Sequence, residues 1–438
     1  MSGSSKHYDV VIAGGGMIGT SLALALAPLG IRVAVVEAVA RKEATQPSFD
    51  DRSTALSRST QRMFEAMGLW PEIVAASTPI RGIHVSDQGR FGFSHIDAQE
   101  QGVEALGYVV INRVLGGVLQ DALDAVDGID VLCPARIVDI ELAPDRATAV
   151  IERVDGEQEE LSCSLLVAAD GANSAVREMM GITAQQSHYR QRAVIGNLLP
   201  EKDIDNIAYE RFTRQGPLAI LPVADRRAGF VWTVSEEDAE RVIALSDEQF
   251  LAELQQEFGY RLGVFSRVGK RASYPLVLSK ALRLTATRSV LIGNSAHGLH
   301  PVSAQGFNLG MRDVAAIADC VADAKAVAGE FDPARAAIVE GGKALGLAGS
   351  DEAGSGEAAL VAYDDARVAV RTSSSADGYL VVSDAYSPGW RATVDGEETP
   401  VYATNHLLRG VYVPAGEHEV VMRYAPDSWR RGMWLSVA

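Results

Sequence analysis

Cysteine is scarce in this chain, which has only three among its 438 residues. Cys133, Cys163 and Cys320 form no C-x-x-C pair and show no zinc-ligand spacing. We therefore exclude a dense disulfide framework and a cysteine-built metal site, and we expect reduced thiols and no metal.

Positive charge is also in short supply. The formal net charge is −17 at pH 7, because 57 acidic residues outnumber 40 basic ones. Nucleic-acid binding and strong adsorption to anionic lipid both require a positive surface, so neither is expected.

Long hydrophobic runs are missing as well. The chain enters a strand-like run at Tyr8 without a basic leader, and the apolar stretch from Met17 to Leu29 is too short and too closely flanked by glycine to cross a bilayer. We expect a cytoplasmic protein.

Length and composition bound the number of domains. The chain has 438 residues, of which 47% are hydrophobic and 22% charged, and this is enough for two or three domains with substantial cores.

What is present begins with a glycine-rich turn. The run GGGMIG, from Gly14 to Gly19, follows the strand-like YDVVIA and opens a helix-like stretch. Gly14 allows a tight turn, Gly16 lets the backbone approach a pyrophosphate, and Gly19 permits close packing of the helix. Phosphate charge would meet the free N–H groups at the helix start.

A second strand supports this interpretation. RVAVVE, from Arg32 to Glu37, ends in an acid 18 residues after Gly19. Glu37 is predicted to accept hydrogen bonds from ribose hydroxyls, and its charge would repel a 2′-phosphate. A glycine fingerprint alone often marks an ordinary turn, but strand, helix and acid together predict a dinucleotide-binding fold.

Two further segments narrow the prediction. They are VAADGANSAVR, from Val167 to Arg177, and LIGNSAHGLHPVSAQGFNLGMRD, from Leu291 to Asp313. With the glycine-rich turn, they resemble the FAD-dependent aromatic hydroxylases of the p-hydroxybenzoate hydroxylase type. The resemblance implies an FAD that lies extended between the three segments.

The resemblance also implies individual roles. Asp170 and Gly171 match a motif that follows a strand and lies near the pyrophosphate and the route of the nicotinamide. Asn294 stands where the family commonly has an aspartate that binds the ribitol chain. This departure keeps an acceptor oxygen and removes one charge, so FAD binding should survive it.

The ring of the flavin would lie beside a third group of residues. The matching positions are Pro301, Gln305, Gly306, Phe307 and Asn308. In the family a helix N-terminus here faces the N1–C2=O edge, where its positive end stabilises negative charge on the reduced ring. Arg52 and Arg113 match arginines near the cofactor, although for each one alone a solvent-exposed side chain is the alternative.

Within that superfamily the chain most resembles the ubiquinone-biosynthesis hydroxylases of the 2-octaprenyl-6-methoxyphenol hydroxylase type. Four runs carry the resemblance: FDDRSTALSRST from Phe49, GIHVSDQGRFGF from Gly82, ERFTRQGPLAILPV from Glu210, and GNSAHGLHPVSAQGFNLGMRD from Gly293. The last has Ala304 where glycine is usual. The resemblance covers about residues 8–340.

The resemblance implies a bound FAD, with NAD(P)H and O2 as cosubstrates and a polyprenylated phenol as substrate. A flavin C4a-hydroperoxide would hydroxylate the ring, and an apolar pocket would keep water away.

Removal of the phenol proton would favour hydroxylation of the ring, but no residue is a clear base. His297 fits a structural turn and Tyr209 fits core packing. His300, before Pro301, stays an untested hypothesis, so no catalytic residue is assigned.

The predicted fold is α/β. A Rossmann-like FAD-binding domain uses residues 1–80, 105–185 and 275–340, and a mixed β-sheet substrate domain is inserted as residues 81–104 and 186–274. The strand-like stretches expected to face the substrate are 81–86, 208–214, 218–222 and 229–234.

The C-terminal part changes character. Residues 341–359 have linker composition, and residues 360–438 carry short strand-like runs with an Asp395-Gly396 turn, which predicts a small β-sandwich. The runs DGYLVVSDAYSPGWRATVDG and RGVYVPAGEHEVVMRYAP resemble the C-terminal β-domain of YfhO-type bacterial membrane proteins. We interpret this tail as being of unrelated origin, joined where the hydroxylase family has a helical segment and ending where the YfhO type has a membrane helix.

Three alternatives follow for function. Besides the hydroxylase, the chain could be another flavin oxidoreductase, such as a reductase or a halogenase, or an inactive or binding-only chimeric fusion that keeps a flavin fold. For the hydroxylase, a prenylated substrate implies peripheral contact with the inner face of the membrane or with a ubiquinone-biosynthesis complex.

Overall fold

The computed structural model describes residues 6–40, 52–224, 226–299, 305–327, 356–364, 367–385, 389–404 and 408–425. The chain divides into two compact units, Met1–Asp319 and Cys320–Ala438. The α-helices are α1 Met17–Leu26, α2 Arg58–Ala66, α3 Trp70–Ala75, α4 Asn112–Asp124, α5 Ala175–Met179, α6 Glu236–Ala244, α7 Asp247–Phe258 and α8 Gln305–Val327.

The strands up to residue 200 are β1 Lys6–Ala13, β2 Val33–Val36, β3 Ser53–Ser57, β4 Thr78–Ile80, β5 Gly82–Asp87, β6 Phe93–Asp97, β7 Gly107–Ile111, β8 Ile129–Leu132, β9 Ala135–Leu142, β10 Ala147–Arg153, β11 Gln158–Ala168 and β12 Ala184–Pro200. The next are β13 Ile207–Phe212, β14 Pro217–Pro222, β15 Ala228–Ser235, β16 Phe265–Val268, β17 Ala272–Ala281, β18 Thr285–Ala286, β19 Ser289–Leu291 and β20 His297–Gly298.

An eight-stranded sheet forms the first layer, in the order β18-β19-β11-β1-β2-β8, with β10 beside β11 and β9 beside β10. The strands β19, β11, β1, β2 and β8 run parallel. Val10, Val11 and Ile12 are almost completely buried, as expected for a strand covered on both faces. Parallel pairing puts the carboxyl ends of these strands at one edge.

Helix α1 ends earlier than the predicted run from Met17 to Leu29. It stops at Leu26 and continues as a 3-10 turn, Ala27–Leu29, with Pro28 in its first positions. Gly30 follows with φ +61°, a left-handed conformation that stops the helix and turns the chain towards β2.

A nine-stranded mixed sheet forms the second layer, in the order β20-β17-β12-β15-β14-β13-β5-β6, with β16 beside β12. The pair β13 and β5 is parallel, whereas β14 and β15 are antiparallel to their neighbours. Helix α7 covers one face. There the ring centroid of Phe250 lies 5.5 Å from that of Phe230 and 5.6 Å from that of Trp232. The predicted mixed sheet is confirmed.

A three-stranded sheet, in the order β3-β7-β4, lies against the other face of this layer. The contact is apolar: Ile80 and Val109 share a buried cluster with Ala208 and Val223. Burial of these side chains fixes the small sheet beside the nine-stranded one.

The second unit contains two antiparallel sheets. Its strands are β21 Gly356–Asp364, β22 Arg367–Ser374, β23 Gly378–Ala385, β24 Trp390–Val394, β25 Glu397–Thr399, β26 Val401–Thr404, β27 Leu408–Val413 and β28 Gly416–Tyr424. The order β21-β22-β28-β24-β25 forms one sheet and β23-β27-β26 the other. Val370 and Val420 share one core with Val411, so the predicted β-sandwich is confirmed.

The predicted Asp395-Gly396 turn joins β24 to β25. Val394 pairs with Glu397, which leaves a two-residue loop, and both loop residues have positive φ, +51° and +89°. These angles match the hairpin turns that follow the natural twist of a sheet.

Neither the domain boundaries nor the linker is tested by this structure. The predicted boundaries stay predictions, and residues 341–355 of the predicted linker lie outside the described residues. Within the described ranges, no helix combines the length and the apolar character that crossing a bilayer requires.

Candidate cofactor site

The predicted cofactor residues follow four neighbouring parallel strands. In spatial order the strands are β19, β11, β1 and β2. The residues that follow them are, in the same order, Asn294, Asp170, Gly14 and Glu37. We call this side of the sheet the carboxyl edge. A crevice outside the carboxyl ends of parallel strands is where nucleotides bind in open α/β sheets.

Gly14 and Asp170 lie in direct contact across this edge. Gly14 has φ +102° and donates a hydrogen bond from its N–H to the Val36 carbonyl at 2.8 Å. A Cβ atom here would lie 2.5 Å from the Ala169 carbonyl oxygen and 2.9 Å from the Asp170 nitrogen. Because both conformation and space exclude a side chain, only glycine fits.

Gly19 permits the close packing predicted for it. A Cβ atom on Gly19 would lie 1.9 Å from the Gly14 carbonyl oxygen. Helix α1 starts after Gly16, and no side-chain hydrogen bond caps that start in the described part of the chain. The first N–H groups of the helix therefore suit an anion such as pyrophosphate.

The Glu37 carboxylate is held in place from two sides. Its Oε2 accepts a hydrogen bond from Gly15 N at 2.6 Å, and its Oε1 accepts one from Val39 N at 2.7 Å. A carboxylate accepts about four hydrogen bonds, so counting only the described residues, two acceptor positions are left for ribose hydroxyls. Gly15 has a role that the sequence analysis missed, because its Cβ would lie 2.9 Å from the Glu37 Cβ.

Asp170 shapes the loop after β11. Its carboxylate accepts hydrogen bonds from the Ser174 hydroxyl and, at 3.1 Å, from Val176 N, and so caps the start of α5. Gly171 has φ +90° with open space where a Cβ would be. The loop presents a bare backbone to the predicted cofactor.

A buried arginine joins this loop to the next one. Arg177 is 5% exposed, and its Nη1 donates hydrogen bonds to the carbonyls of Ala172 at 3.1 Å and Ser295 at 3.0 Å. The sequence analysis did not select Arg177 or Ser295, since the two residues are 118 positions apart in the chain. Arg177 therefore fixes the spacing of two predicted FAD contacts.

Asn294 lies exposed on a 3-10 turn, Gly293–Ser295. Asp313 holds this turn, because its Oδ2 accepts a hydrogen bond from Gly293 N at 2.8 Å and lies 2.9 Å from His297 Nε2. His297 thus serves the turn, in line with its interpretation as a structural residue. The role of Asp313 was missed.

Helix α8 begins at Gln305, so Gln305, Gly306 and Phe307 form its first turn. Nothing lies within 4 Å of the position of a Cβ on Gly306. The helix packs on α1: a Cβ on Gly310 would lie 2.7 Å from Ile18 Cδ1 and 3.3 Å from Gly293 Cα. The three predicted segments therefore meet at one place.

The Asn308 side chain is hydrogen-bonded within the protein. It is 2% exposed, and its Oδ1 accepts hydrogen bonds from Ser57 N and Thr60 Oγ1, both at 2.8 Å. Its Nδ2 donates to the Ala55 carbonyl at 2.9 Å. The side chain joins α8 to β3 and α2. The backbone of Asn308 would therefore make the predicted contact with FAD.

Two further residues predicted to contact the cofactor are arginines. The Arg52 guanidinium stacks over the Tyr274 ring, 4.7 Å from its centroid. Arg113 lies exposed in the first turn of α4. Their predicted contacts with FAD stay predictions.

The remaining candidate residues from the sequence are His300, Pro301 and Tyr209. His300 and Pro301 lie outside the described residues. Tyr209 is 8% exposed and lies edge-on to Phe258, with ring centroids 5.7 Å apart. Tyr209 therefore belongs to the core.

These residues fit an extended dinucleotide. The glycine contacts bring the backbones of the loops together, the start of α1 is free of side-chain caps, and Glu37 keeps acceptor positions for a ribose. The geometry defines a dinucleotide-binding α/β fold.

Comparison with known proteins gives the family. Residues 7–330 match the model of the FAD binding domain family. The chain is 36% identical over 342 residues to the ubiquinone hydroxylase UbiL of Rhodospirillum rubrum, which covers 78% of each chain. It is 32% identical over 326 residues to the 3-demethoxyubiquinol 3-hydroxylase of Escherichia coli, covering 74% of this chain and 81% of that protein. The chain belongs to this FAD-binding family.

Solved structures show the same fold. The p-nitrophenol 4-monooxygenase PnpA of Pseudomonas putida matches with a TM-score of 0.62 at 18% identity, over 74% of this chain and 82% of that one. The probable FAD-dependent monooxygenase pqsL of Pseudomonas aeruginosa matches with a TM-score of 0.62 at 24% identity, over 74% and 88%. With the family match, the predicted fold and the class of FAD-dependent monooxygenase are confirmed.

The tail matches a different family. Residues 353–436 match the model described as bacterial membrane protein YfhO. The resemblance predicted for this part of the chain is confirmed.

Proposed function

We propose that this protein hydroxylates a polyprenylated phenol in ubiquinone biosynthesis, with bound FAD and with NAD(P)H and O2 as cosubstrates. The observation that carries the proposal is the meeting of Gly14, Asp170 and Gly293 at the carboxyl edge. The names of the relatives, a ubiquinone hydroxylase and a demethoxyubiquinol hydroxylase, support the substrate class.

The residues of the carboxyl edge would hold FAD along its length. Gly14, Gly16 and the start of α1 would bind the pyrophosphate, and Glu37 would accept from the ribose. Asn294 would lie along the ribitol chain, and the first turn of α8 would face the ring. Bound FAD supplies the electron transfer and the oxygen activation of the reaction.

The nine-stranded sheet would supply the wall of the substrate chamber. A Cβ on Gly229 would lie 3.3 Å from Ser53 Oγ, so this face of β15 meets β3. Val231 and Ile195, in register on neighbouring strands, make that face apolar. An apolar wall excludes water, and this protects the oxygen transfer from loss as hydrogen peroxide.

A prenyl chain keeps such a substrate in a bilayer. We therefore propose that the protein is cytoplasmic and either contacts the inner membrane face transiently or joins a biosynthetic complex. Two exposed aromatic residues support a contact surface: Phe91, in the loop before β6, is fully exposed, and Phe93, the first residue of β6, is 64% exposed. Membrane fractionation tests this, since activity that stays entirely soluble without any salt wash contradicts membrane contact.

Aerobic incubation of the FAD-loaded chain with a prenylated 2-methoxyphenol and NADH or NADPH tests the main proposal. A product with one added oxygen atom, identified by mass, is expected. Turnover without oxygen favours a reductase, and a product that requires halide favours a halogenase. A purified chain that retains no flavin favours the binding-only or inactive fusion.

A further inference from the structure

Glu210 lies in the middle of β13, where its side chain is on the face opposite to α7. The flanking residues show this, because Tyr209 packs on Phe258 and Arg211 Nε donates to the Glu257 carbonyl at 2.8 Å. Successive side chains of a strand point to opposite faces. Glu210 therefore points to the side of the sheet that meets β3.

On that side Glu210 is the one ionisable member of an otherwise apolar row. In register across five strands the row contains Val85, Glu210, Ala219, Val231 and Ile195. Gly229, two residues from Val231, lies against Ser53. The row would thus form part of the proposed wall of the substrate chamber.

The Glu210 carboxylate has no hydrogen bond or ion pair within the described parts of the chain. Burial alone raises its pKa to about 7. Among the described residues, two charged groups on this side of the sheet have partners other than Glu210. Asp87 pairs with Arg90 at 3.1 Å, and Arg52 stacks on Tyr274 at 4.7 Å.

We propose that Glu210 is the general base that accepts the phenolic proton of the substrate. The inference rests on the proposed function and assigns the base that the sequence left open. The O–H bond of the phenol breaks, its proton forms an O–H bond with the carboxylate, and the electron pair stays on the phenolate oxygen. That pair is conjugated into the ring, which raises electron density at the carbons to be oxidised. The proton later returns to water.

Geometry and acidity agree in this assignment. The apolar row leaves an aromatic ring few other polar groups to contact, so a phenolic O–H lying on this wall would meet the carboxylate. A general base acts best when its pKa lies near the working pH, which holds for a carboxyl raised to about 7.

The test compares Glu210→Gln with Glu210→Asp and with Glu240→Gln, an exposed glutamate of α6. The first readouts are the absorbance of bound FAD and anaerobic reduction of the flavin by NAD(P)H. If the wild-type chain fails these, or makes no oxygenated product, the proposed function fails whatever Glu210 does.

The second readout is hydroxylation of a geranylated 2-methoxyphenol as a function of pH. The wild-type rate should rise through neutral pH and level off. Glu210→Gln should lose about 100-fold near pH 7, with FAD retained, and should recover as the phenol ionises in solution. Glu210→Asp should restore part of the rate, and Glu240→Gln should match the wild type.

The third readout needs no turnover. Infrared difference spectra of the FAD-loaded chain should show a protonated carboxyl group that loses its proton near pH 7 in the wild type and is missing in Glu210→Gln. An unchanged pH profile in Glu210→Gln, or the same infrared band in that variant, would overturn the proposal.

Discussion

The Asp313 carboxylate accepts a hydrogen bond from the backbone N–H of Gly293 at 2.8 Å, across 20 residues of chain. One side chain of α8 thereby fixes the turn that carries Asn294. The same oxygen lies 2.9 Å from His297 Nε2, so Asp313 contacts the start of the turn and the strand that follows it.

Replacement of Asp313 with alanine should loosen FAD binding. The buried N–H of Gly293 would lose its acceptor, at a cost of about 1–3 kcal/mol. If the whole cost falls on the FAD-bound state, FAD release rises by roughly 5- to 150-fold. Flavin fluorescence during dialysis measures the release. Asp319→Ala, at an exposed position of the same helix, is the matched control. Equal FAD retention in both variants contradicts the role given to Asp313.

Two glycine-to-alanine changes should act in opposite directions. Gly19→Ala puts a Cβ 1.9 Å from the Gly14 carbonyl oxygen and should cost about 3 kcal/mol or more through overpacking. Gly117→Ala, in α4, meets nothing within 4 Å and should add about 1 kcal/mol through helix propensity. Urea midpoints of the two variants give the comparison, and a stable Gly19→Ala variant would be inconsistent with the packing described.

The two asparagines of the third segment should separate stability from cofactor binding. Asn308→Ala removes three hydrogen bonds from a buried side chain and should lower the free energy of unfolding by about 2–4 kcal/mol. Asn294→Ala changes an exposed side chain and should leave the FAD-free protein as stable as the wild type while weakening FAD binding. Thermal unfolding with and without FAD distinguishes them. Equal unfolding temperatures for both FAD-free variants would refute the structural role of Asn308.

Glu210 should make the stability depend on pH. Its pKa is raised from 4.5 to about 7 in the folded chain, so the folded state keeps a proton that the unfolded state has released. Stability contributed by this group should therefore fall as pH rises from about 4.5 to about 7, by up to roughly 3 kcal/mol. Glu210→Gln lacks this loss, so its stability relative to the wild type should increase between about pH 5 and about pH 8. Urea unfolding at both pH values measures how the free energy of unfolding changes with pH, with Glu240→Gln as control. If this free energy changes with pH equally in the wild type and in Glu210→Gln, the raised pKa of Glu210 is excluded.

Local patterns were sufficient for the elements that carry the cofactor site. The run YDVVIA with GGGMIG predicts β1 and the start of α1, because a buried strand, a positive-φ glycine and a helix start depend on adjacent residues. The alternation in residues 207–222 likewise predicts β13 and β14 to within about two residues.

The partners of the polar side chains could not be predicted in this way. Arg177 bonds to Ser295 over 118 residues and Asn308 to Ser57 over 251, so neither pair has a local pattern. The motif around Asn308 therefore predicts a flavin contact, but it does not predict the hydrogen bonds of the Asn308 side chain. Glu210 gave no signal either, since a charged residue in an alternating strand usually faces water.

The sequence by itself determined the class of this protein, because short runs of glycine, apolar residues and a terminal acid specify backbone conformations that suit a dinucleotide. The tertiary structure alone decided which side chains hold the loops together and which face of the nine-stranded sheet meets β3. The physical reason is that strand register and burial are set by contacts between distant segments, and burial is what gives Glu210 its raised pKa.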